Sequence, residues 1–314
     1  MQELKPKIIF LGTPEFAVPS LLALIANGFK PVLAITQPDK PAGRKQELTP
    51  PPIKQAALQN EILVLQPPAK NDLAEIFLQY RPDLCVLVAY GSIIPKDCLN
   101  QPRGGFLNIH PSLLPKYRGS SPIQTAILNG EKETGVSIIQ LVSQVDAGPI
   151  IAQKTMAIAE TDNAETLSKK LAELGAELLI EILANYLAGR ILPKPQDESK
   201  ATFTAMISRE DGQINWQKTA AEIQRQFRAF YPWPGVFTQI SGQRLKIANL
   251  SVLEGNFSAK LVPGAIFFGP QGELAVSCGQ GAVELKTVQP AGKKEMPGIE
   301  FLRGQKDLIS KVLK

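Results

Sequence analysis

Histidine is nearly missing from this chain: among 314 residues only His110 occurs. That scarcity excludes any site built on two imidazoles, including the HExxH zinc motif and most mononuclear metal triads. Cysteine is sparse too. Cys85, Cys98 and Cys278 are odd in number and show neither CxxC nor metal-ligand spacing, which points to structural thiols in a reducing compartment. No apolar run approaches the ~18 residues that a membrane helix needs; the densest, at residues 84–90, has the length of a strand. The opening residues lead into an apolar strand without a leader-like pattern, so a cytoplasmic location is expected. No GxGxxG follows the first strand, and Gly12 alone is too weak a signal for a dinucleotide.

What is present is material for an ordinary globular protein, with 44% hydrophobic and 20% charged residues. The length suits about two domains. Charge divides unevenly. Residues 1–207 hold 20 Lys and Arg against 20 Asp and Glu, and residues 208–314 hold 14 against 9, so the whole excess of +5 lies in the last third. A basic domain beside a neutral one points to a polyanionic partner, although an excess of this size also serves ordinary solubility.

In the first half, continuous apolar runs at residues 7–11, 31–36, 61–65, 84–89 and 106–109 alternate with helical patterns, as at 14–26 and 72–80. Thr13 and Pro14 read as an N-cap and first helical position, and Asn27-Gly28 as a stop. Such strands, apolar throughout, imply a doubly wound, mainly parallel α/β sheet with its site at the carboxyl ends of the strands. Later strands are expected at 134–142 and 149–158 with a hairpin turn at Asp146-Ala147-Gly148, then a long amphipathic helix at 163–187. These readings divide the chain into a domain at residues 1–190, a Pro- and Lys-containing linker at 191–207 and a smaller domain at 208–314. The last opens with a helix at 218–230 and continues as short alternating runs that favour a small β-barrel. Trp216 and Trp233 read as packing residues.

The string Phe106-Leu-Asn108-Ile-His110-Pro-Ser-Leu-Leu-Pro115 carries the chemistry. In an extended strand Asn108 and His110 share a face, and Pro111 ends the strand. An amide donor beside an imidazole suits a carbonyl that becomes an oxyanion; a lone histidine making structural hydrogen bonds is the other reading. Asp146, at a strand-to-turn junction, suits pairing with His110, raising its pKa and fixing its tautomer. It equally suits a turn before Gly148. The residues alone leave both pairs of readings open.

The strings Asn108-Ile-His110-Pro-Ser-Leu-Leu-Pro115, Arg118-Gly119, and Gly135 followed by Asp146-Ala-Gly148 resemble the folate-dependent formyltransferases, and residues 10–20 and 37–44 extend the likeness over most of the chain. The resemblance implies a Rossmann-like formyltransferase domain followed by an OB-like β-barrel. It also implies a catalytic trio of Asn108, His110 and Asp146, with Asn108 and a protonated His110 facing the oxyanion and Asp146 sustaining the imidazolium. It implies 10-formyltetrahydrofolate as co-substrate, walled by Ser112, Leu113, Leu114 and Pro115 and met by the turn at Tyr90 and Gly91, and it requires no metal. The implied acceptor is initiator methionyl-tRNA. Its acceptor arm would meet the loop at 37–52 through Lys40, Arg44 and Lys45, with Lys54 nearby, and the last domain through Arg209 and Lys246, with Arg225, Arg228, Arg244, Lys293, Lys294 and Arg303 as further cations. A monomer is expected. The rival within the family is an amino-sugar nucleotide formyltransferase using the same folate donor, from which the Pro-Ala-Gly-Arg44 loop separates this chain. Glycinamide ribonucleotide formyltransferases have the catalytic domain alone. A non-catalytic RNA-binding relative would be expected to have lost a member of the trio.

Overall fold

Strands buried on both faces need apolar side chains in both alternating directions, and the apolar runs of the first half supply them. A computed structural model describes residues 5–43, 46–68, 72–255, 261–304 and 307–313. The chain divides into one unit of residues 1–122, 132–158 and 167–204 and a second of residues 123–131, 159–166 and 205–314. The first unit runs β1 (Ile8–Gly12), α1 (Val18–Ala26), β2 (Leu33–Ile35), β3 (Lys40–Ala42), β4 (Glu47–Thr49), α2 (Pro52–Gln59), β5 (Leu63–Leu65), α3 (Asp72–Tyr80), β6 (Leu84–Val88), β7 (Phe106–His110), β8 (Arg118–Gly119), β9 (Glu133–Gln140), β10 (Ile150–Ala157) and β11 (Phe203–Thr204). Helices α4 (Pro122–Leu128) and α5 (Ala164–Leu187) contribute residues to both units.

Seven strands form one sheet in the order β10-β9-β7-β6-β1-β2-β5. The five from β7 to β5 are parallel, and β9 and β10 extend the sheet antiparallel. This is the expected doubly wound, mainly parallel architecture. Every residue of β1, β6 and β7 is buried. On β7, alternation sends Phe106, Asn108 and His110 to one face and Leu107 and Ile109 to the other. Phe106 meets Phe77 of α3 edge-on at 5.5 Å. On the opposite face α5 comes so close that a Cβ on Gly175 would lie 2.8 Å from Cγ2 of Ile109. Both faces of the strand are thereby pinned. Cys85 and Cys98 lie in the core beside Phe77 and Phe106, unpaired, and burial pushes the Cys98 thiol up to about 11.

Thr13 differs from its expected role. The turn after β1 is a short 3-10 segment at Glu15–Ala17 without a side-chain cap. The Thr13 hydroxyl instead donates to the Tyr90 carbonyl at 2.8 Å and accepts from the Gln37 N–H at 3.3 Å, tying the carboxyl ends of three strands together. Residues 191–204 follow the first unit closely: Lys194 and Ile150 exchange two backbone hydrogen bonds, and β11 pairs parallel with β8.

The second unit holds α6 (Ala220–Ala229), opened by a capping box of Thr219 and Glu222. It continues with β12 (Val236–Ile240), β13 (Gln243–Leu253), β14 (Ile266–Phe268), β15 (Leu274–Ser277), β16 (Ala282–Pro290), β17 (Met296–Pro297) and α7 (Gly298–Arg303). Its sheet runs β12-β13-β16-β15-β14, with β17 against β16, all antiparallel; among the described residues it is a half-barrel with β12 and β14 at its edges. Trp216 is buried and donates to the Thr238 hydroxyl at 3.0 Å, as a packing residue should. Trp233, in the turn at residues 231–234, is 54% exposed.

In the connection from β9 to β10 a methyl on Gly148 would overlap the Gln140 carbonyl oxygen, the closest such approach among the described glycines. Gly148→Ala should lower unfolding free energy by about 2–3 kcal/mol, the scale of forced overpacking. Equilibrium urea unfolding measures this; wild-type stability would mean the turn shifts freely.

Candidate active site

Because β7 ends at Pro111, its last two site-facing side chains stand at the carboxyl end of the sheet, where Asn108 lies opposite Ile139 of β9 and His110 opposite Ser137. The β9–β10 turn brings Asp146 back over them. Asp146 Oδ2 lies 3.4 Å from His110 Nδ1 and accepts the Gly119 N–H at 2.9 Å, while Oδ1 lies 3.4 Å from Asn108 Nδ2. The structure therefore brings Asn108, His110 and Asp146 together. Tyr117 and Asp146 hold left-handed backbone, with φ of 64° and 50°, a conformation uncommon for non-glycine residues though better tolerated by Asp than by Tyr.

His110 Nε2 lies 2.9 Å from the Tyr117 carbonyl oxygen. A carbonyl only accepts, so Nε2 carries a proton, and in the neutral ring that burial favours the Nδ1 lone pair faces Asp146. Burial pushes the His110 pKa below its ordinary 6.5; the Asp146 carboxylate and the Tyr117 carbonyl pull it upward, but less strongly. The geometry agrees, since 3.4 Å exceeds the ~2.7–2.9 Å of a charge-assisted hydrogen bond. This corrects the expectation of a raised pKa and a resident imidazolium: desolvating a ring that is only 5% exposed outweighs one neighbouring carboxylate.

The wall at residues 112–115 is held by Ser137. Its hydroxyl donates to the Ser112 carbonyl at 2.6 Å and accepts from the Leu114 N–H at 3.0 Å and from Gln153 at 2.8 Å. Leu113 and Pro115 are half-buried and Leu114 is buried. Ser112 is wholly buried and donates its hydroxyl to the Lys116 carbonyl, so it shapes the wall from behind rather than facing a ligand. Likewise the Tyr90 side chain belongs to the core, where burial pushes its phenol up to about 12, whereas Gly91, at φ 82°, stands exposed on the rim after β6.

Arg44 and Lys45 lie outside the described residues. Lys40 is exposed on the β3–β4 ribbon. Lys54 is committed: its ammonium binds both Asp39 oxygens at 2.8 and 2.9 Å and the Gln66 carbonyl at 2.8 Å, and that hydrogen bond holds the Asp39 carboxyl below its usual range. In the second unit Arg209 and Lys246 are exposed, with Lys246 Nζ 3.9 Å from Glu295, and the Arg244 guanidinium lies 3.5 Å over the Phe237 ring. Arg225 Nε donates to the Leu128 carbonyl at 3.1 Å and Arg228 donates to the Asp162 carbonyl at 2.8 Å, so each guanidinium is partly engaged within the protein. Three residues of the site have no local signal in the sequence: Arg118, and Gln196 and Glu198, which grip it from an aperiodic polar stretch. Among the described residues no group of three His, Cys, Asp or Glu side chains is placed to hold a metal ion, and no helix is long and apolar enough to cross a membrane.

Comparison with known proteins narrows the identity. A family model described as formyl transferase matches residues 6–183, and one described as formyl transferase, C-terminal domain, matches residues 206–306. The methionyl-tRNA formyltransferase of Myxococcus xanthus is 44% identical over 305 residues, 96% of each chain. That of Bacillus subtilis is 44% identical over 301 residues, 95% of this chain and 94% of that one. Among solved structures, HypX from Aquifex aeolicus in complex with tetrahydrofolic acid superposes with a TM-score of 0.63 at 19% identity, over 98% of this chain and 48% of that one. An N-formyltransferase from Helicobacter canadensis, in complex with folinic acid and dTDP-3-aminofucose, gives 0.68 at 22% identity, over 91% and 99%. At these identities the structures share the fold alone, whereas the near-full-length relatives from Myxococcus xanthus and Bacillus subtilis, at 44%, are methionyl-tRNA formyltransferases. The chain belongs to the formyl transferase family, in its methionyl-tRNA formyltransferase branch.

Proposed function

We propose that this protein transfers the formyl group of 10-formyltetrahydrofolate to the amino group of methionine on initiator methionyl-tRNA, acting as a monomer in the cytoplasm. Residues 1–190 carry the chemistry, and residues 208–314 contact the tRNA. What supports the reading above all is the closure of Asn108 and Asp146 around His110, with Asp146 Oδ2 3.4 Å from Nδ1 and the Tyr117 carbonyl 2.9 Å from Nε2. The exposed rim at Ala89, Gly91 and Ile93 and the half-buried Leu113 and Pro115, after the carboxyl ends of neighbouring strands, are the groups left to receive the donor.

The amine nitrogen attacks the formyl carbon and a C–N bond forms, leaving an oxyanion. Asn108 donates its amide N–H to that oxygen, an interaction worth roughly 10²–10³ in rate. His110 Nδ1 takes the proton that the attacking nitrogen sheds. The imidazolium so formed is satisfied at both nitrogens, by Tyr117 and by Asp146. His110 then returns the proton to the folate nitrogen as its bond to the formyl carbon breaks, so general base and general acid are one group.

An assay offering charged initiator tRNA and an amino-sugar nucleotide in parallel tests the substrate; formylation of the sugar alone would overturn the acceptor. His110→Ala should abolish turnover, and Asn108→Leu should lower kcat by about 10²-fold. Both should leave tRNA affinity unchanged, and a variant with half the normal rate would sink the assignment. Arg44→Ala should raise the KM for tRNA and leave that for folate alone, and tRNA binding should weaken steeply with salt as counterions are released; unaltered tRNA kinetics would remove Arg44 from the interface. The acidic limb of kcat/KM should fall below pH 6.5, matching an NMR titration of the single imidazole. Stability has the same sign. Between the native pKa and the unfolded value near 6.5, the unfolded chain binds the proton more readily, so stability declines as pH is lowered through that window. An imidazole titrating above 6.5 would contradict both.

A further inference from the structure

We infer that Gln196 is a positioning residue: clamped by Arg118, it sets the turn that aims the Asp146 carboxylate at His110. One amide supplies both halves of the link. Gln196 Nε2 donates to the carbonyl oxygens of Asp146 at 2.8 Å and Gly148 at 2.7 Å, matching its two hydrogens to two acceptors on the same turn. Gln196 Oε1 accepts from Arg118 Nε at 3.1 Å and from one terminal guanidinium nitrogen at 2.8 Å. The guanidinium is completed by Glu198, whose two oxygens accept at 2.9 and 2.7 Å.

Arg118 is only 3% exposed, and a buried guanidinium is tolerated only where its donors are met. Its place in the chain explains its value. Tyr117, just before it, supplies the carbonyl on His110 Nε2, and Gly119, just after it, supplies the N–H on Asp146 Oδ2. Thr202 pins the same stretch from the other side, its hydroxyl accepting the Tyr117 N–H at 2.8 Å and its carbonyl the Arg118 N–H at 2.9 Å. The strap at residues 194–204 thus fixes every main-chain group that touches the His110–Asp146 pair. Since φ of Asp146 is 50°, the direction of its side chain depends on contacts that hold this turn, and Gln196 makes two of them.

The kinetic part of the test rests on the formyl-transfer reading; the spectroscopic part does not. Gln196→Met removes the amide without adding charge. Gln196→Glu keeps an acceptor for Arg118 but has no hydrogens for the turn. Both should lower kcat by roughly 10- to 100-fold, the scale of a displacement of about 1 Å, with KM for folate and tRNA nearly unchanged. In the full-length protein the imidazole signal of Gln196→Met should move in chemical shift and titration midpoint, and it needs no assignment because His110 is the only histidine. Arg118→Lys, which loses the fork to Gln196, should shift it in the same direction. If Gln196→Glu turns over like wild type, Gln196 merely anchors Arg118 and the inference fails. It fails too if activity falls only in proportion to folded protein while the imidazole signal stays in place. Should no variant or wild type formylate anything, a displaced imidazole signal would still uphold the positioning role and only the substrate reading would fall.

Discussion

The arrangement hinges on one mismatch: a buried imidazole with a single proton faces two acceptors. The Tyr117 carbonyl takes the proton on Nε2, and Asp146 is left opposite a lone pair at 3.4 Å. In water such a ring would protonate or turn away. Here neither relief is open, because burial disfavours the charged ring and β7 is pinned on both faces by Phe77 and Gly175. The mismatch is resolved only when a proton arrives at Nδ1, which happens when an attacking amine sheds one. The site is thus poised for the intermediate rather than for the resting state, which is the condition for lowering a barrier. Much of the first unit serves this constraint: the parallel strands that place His110 at their carboxyl ends, the glycine turn that returns Asp146, and the strap that orients residues 117–119.

How much of this is legible in the sequence depends on the range over which each feature is decided. Asn108 and His110 share a face because alternation is local, and helix α3 is set by apolar spacing that no distant residue needs to approve. The meeting of Asp146 with His110 follows from a β9–β10 hairpin whose turn residues announce it. Partner choice is another matter. Thr13 has the chemistry of an N-cap, and only the folded sheet offers it Tyr90 and Gln37 instead. Gln196 is one polar residue in an aperiodic stretch, and nothing local distinguishes a glutamine that grips a turn 50 residues away. The His110 pKa follows the same rule: a carboxylate partner can be foreseen from spacing, but the depth of burial opposing it is a property of the whole packing.

The cations teach the same lesson in reverse. Composition gives the sign of a region, and the excess in residues 208–314 stands whichever side chain supplies it. It does not separate a solvated cation from one spent on the protein. Arg225 and Arg228 cap main-chain carbonyls, while Arg209, Lys246 and the aromatic-stacked Arg244 remain presented on their own unit. A polyanion feels the summed field of that surface, which survives the loss of any one contact, so steering and salt dependence belong to the domain rather than to a residue.

A chain with one histidine also has few ways to move a proton near neutral pH. Cys85, Cys98 and Cys278 are buried with thiols pushed well above their ordinary range, and Tyr90 is held at about 12, so none exchanges a proton readily under those conditions. The proton shed by an attacking amine and the proton needed by the departing nitrogen are best served by His110, whose Nδ1 faces Asp146 in the site. A neutral His110 is the one group whose basicity is matched to the task and whose charged form has partners waiting. Lowering its pKa weakens it as a base but makes the imidazolium a stronger acid toward the leaving nitrogen. Acceptance and return are thus balanced in a single side chain, and the placement of Asp146 sets where that balance falls.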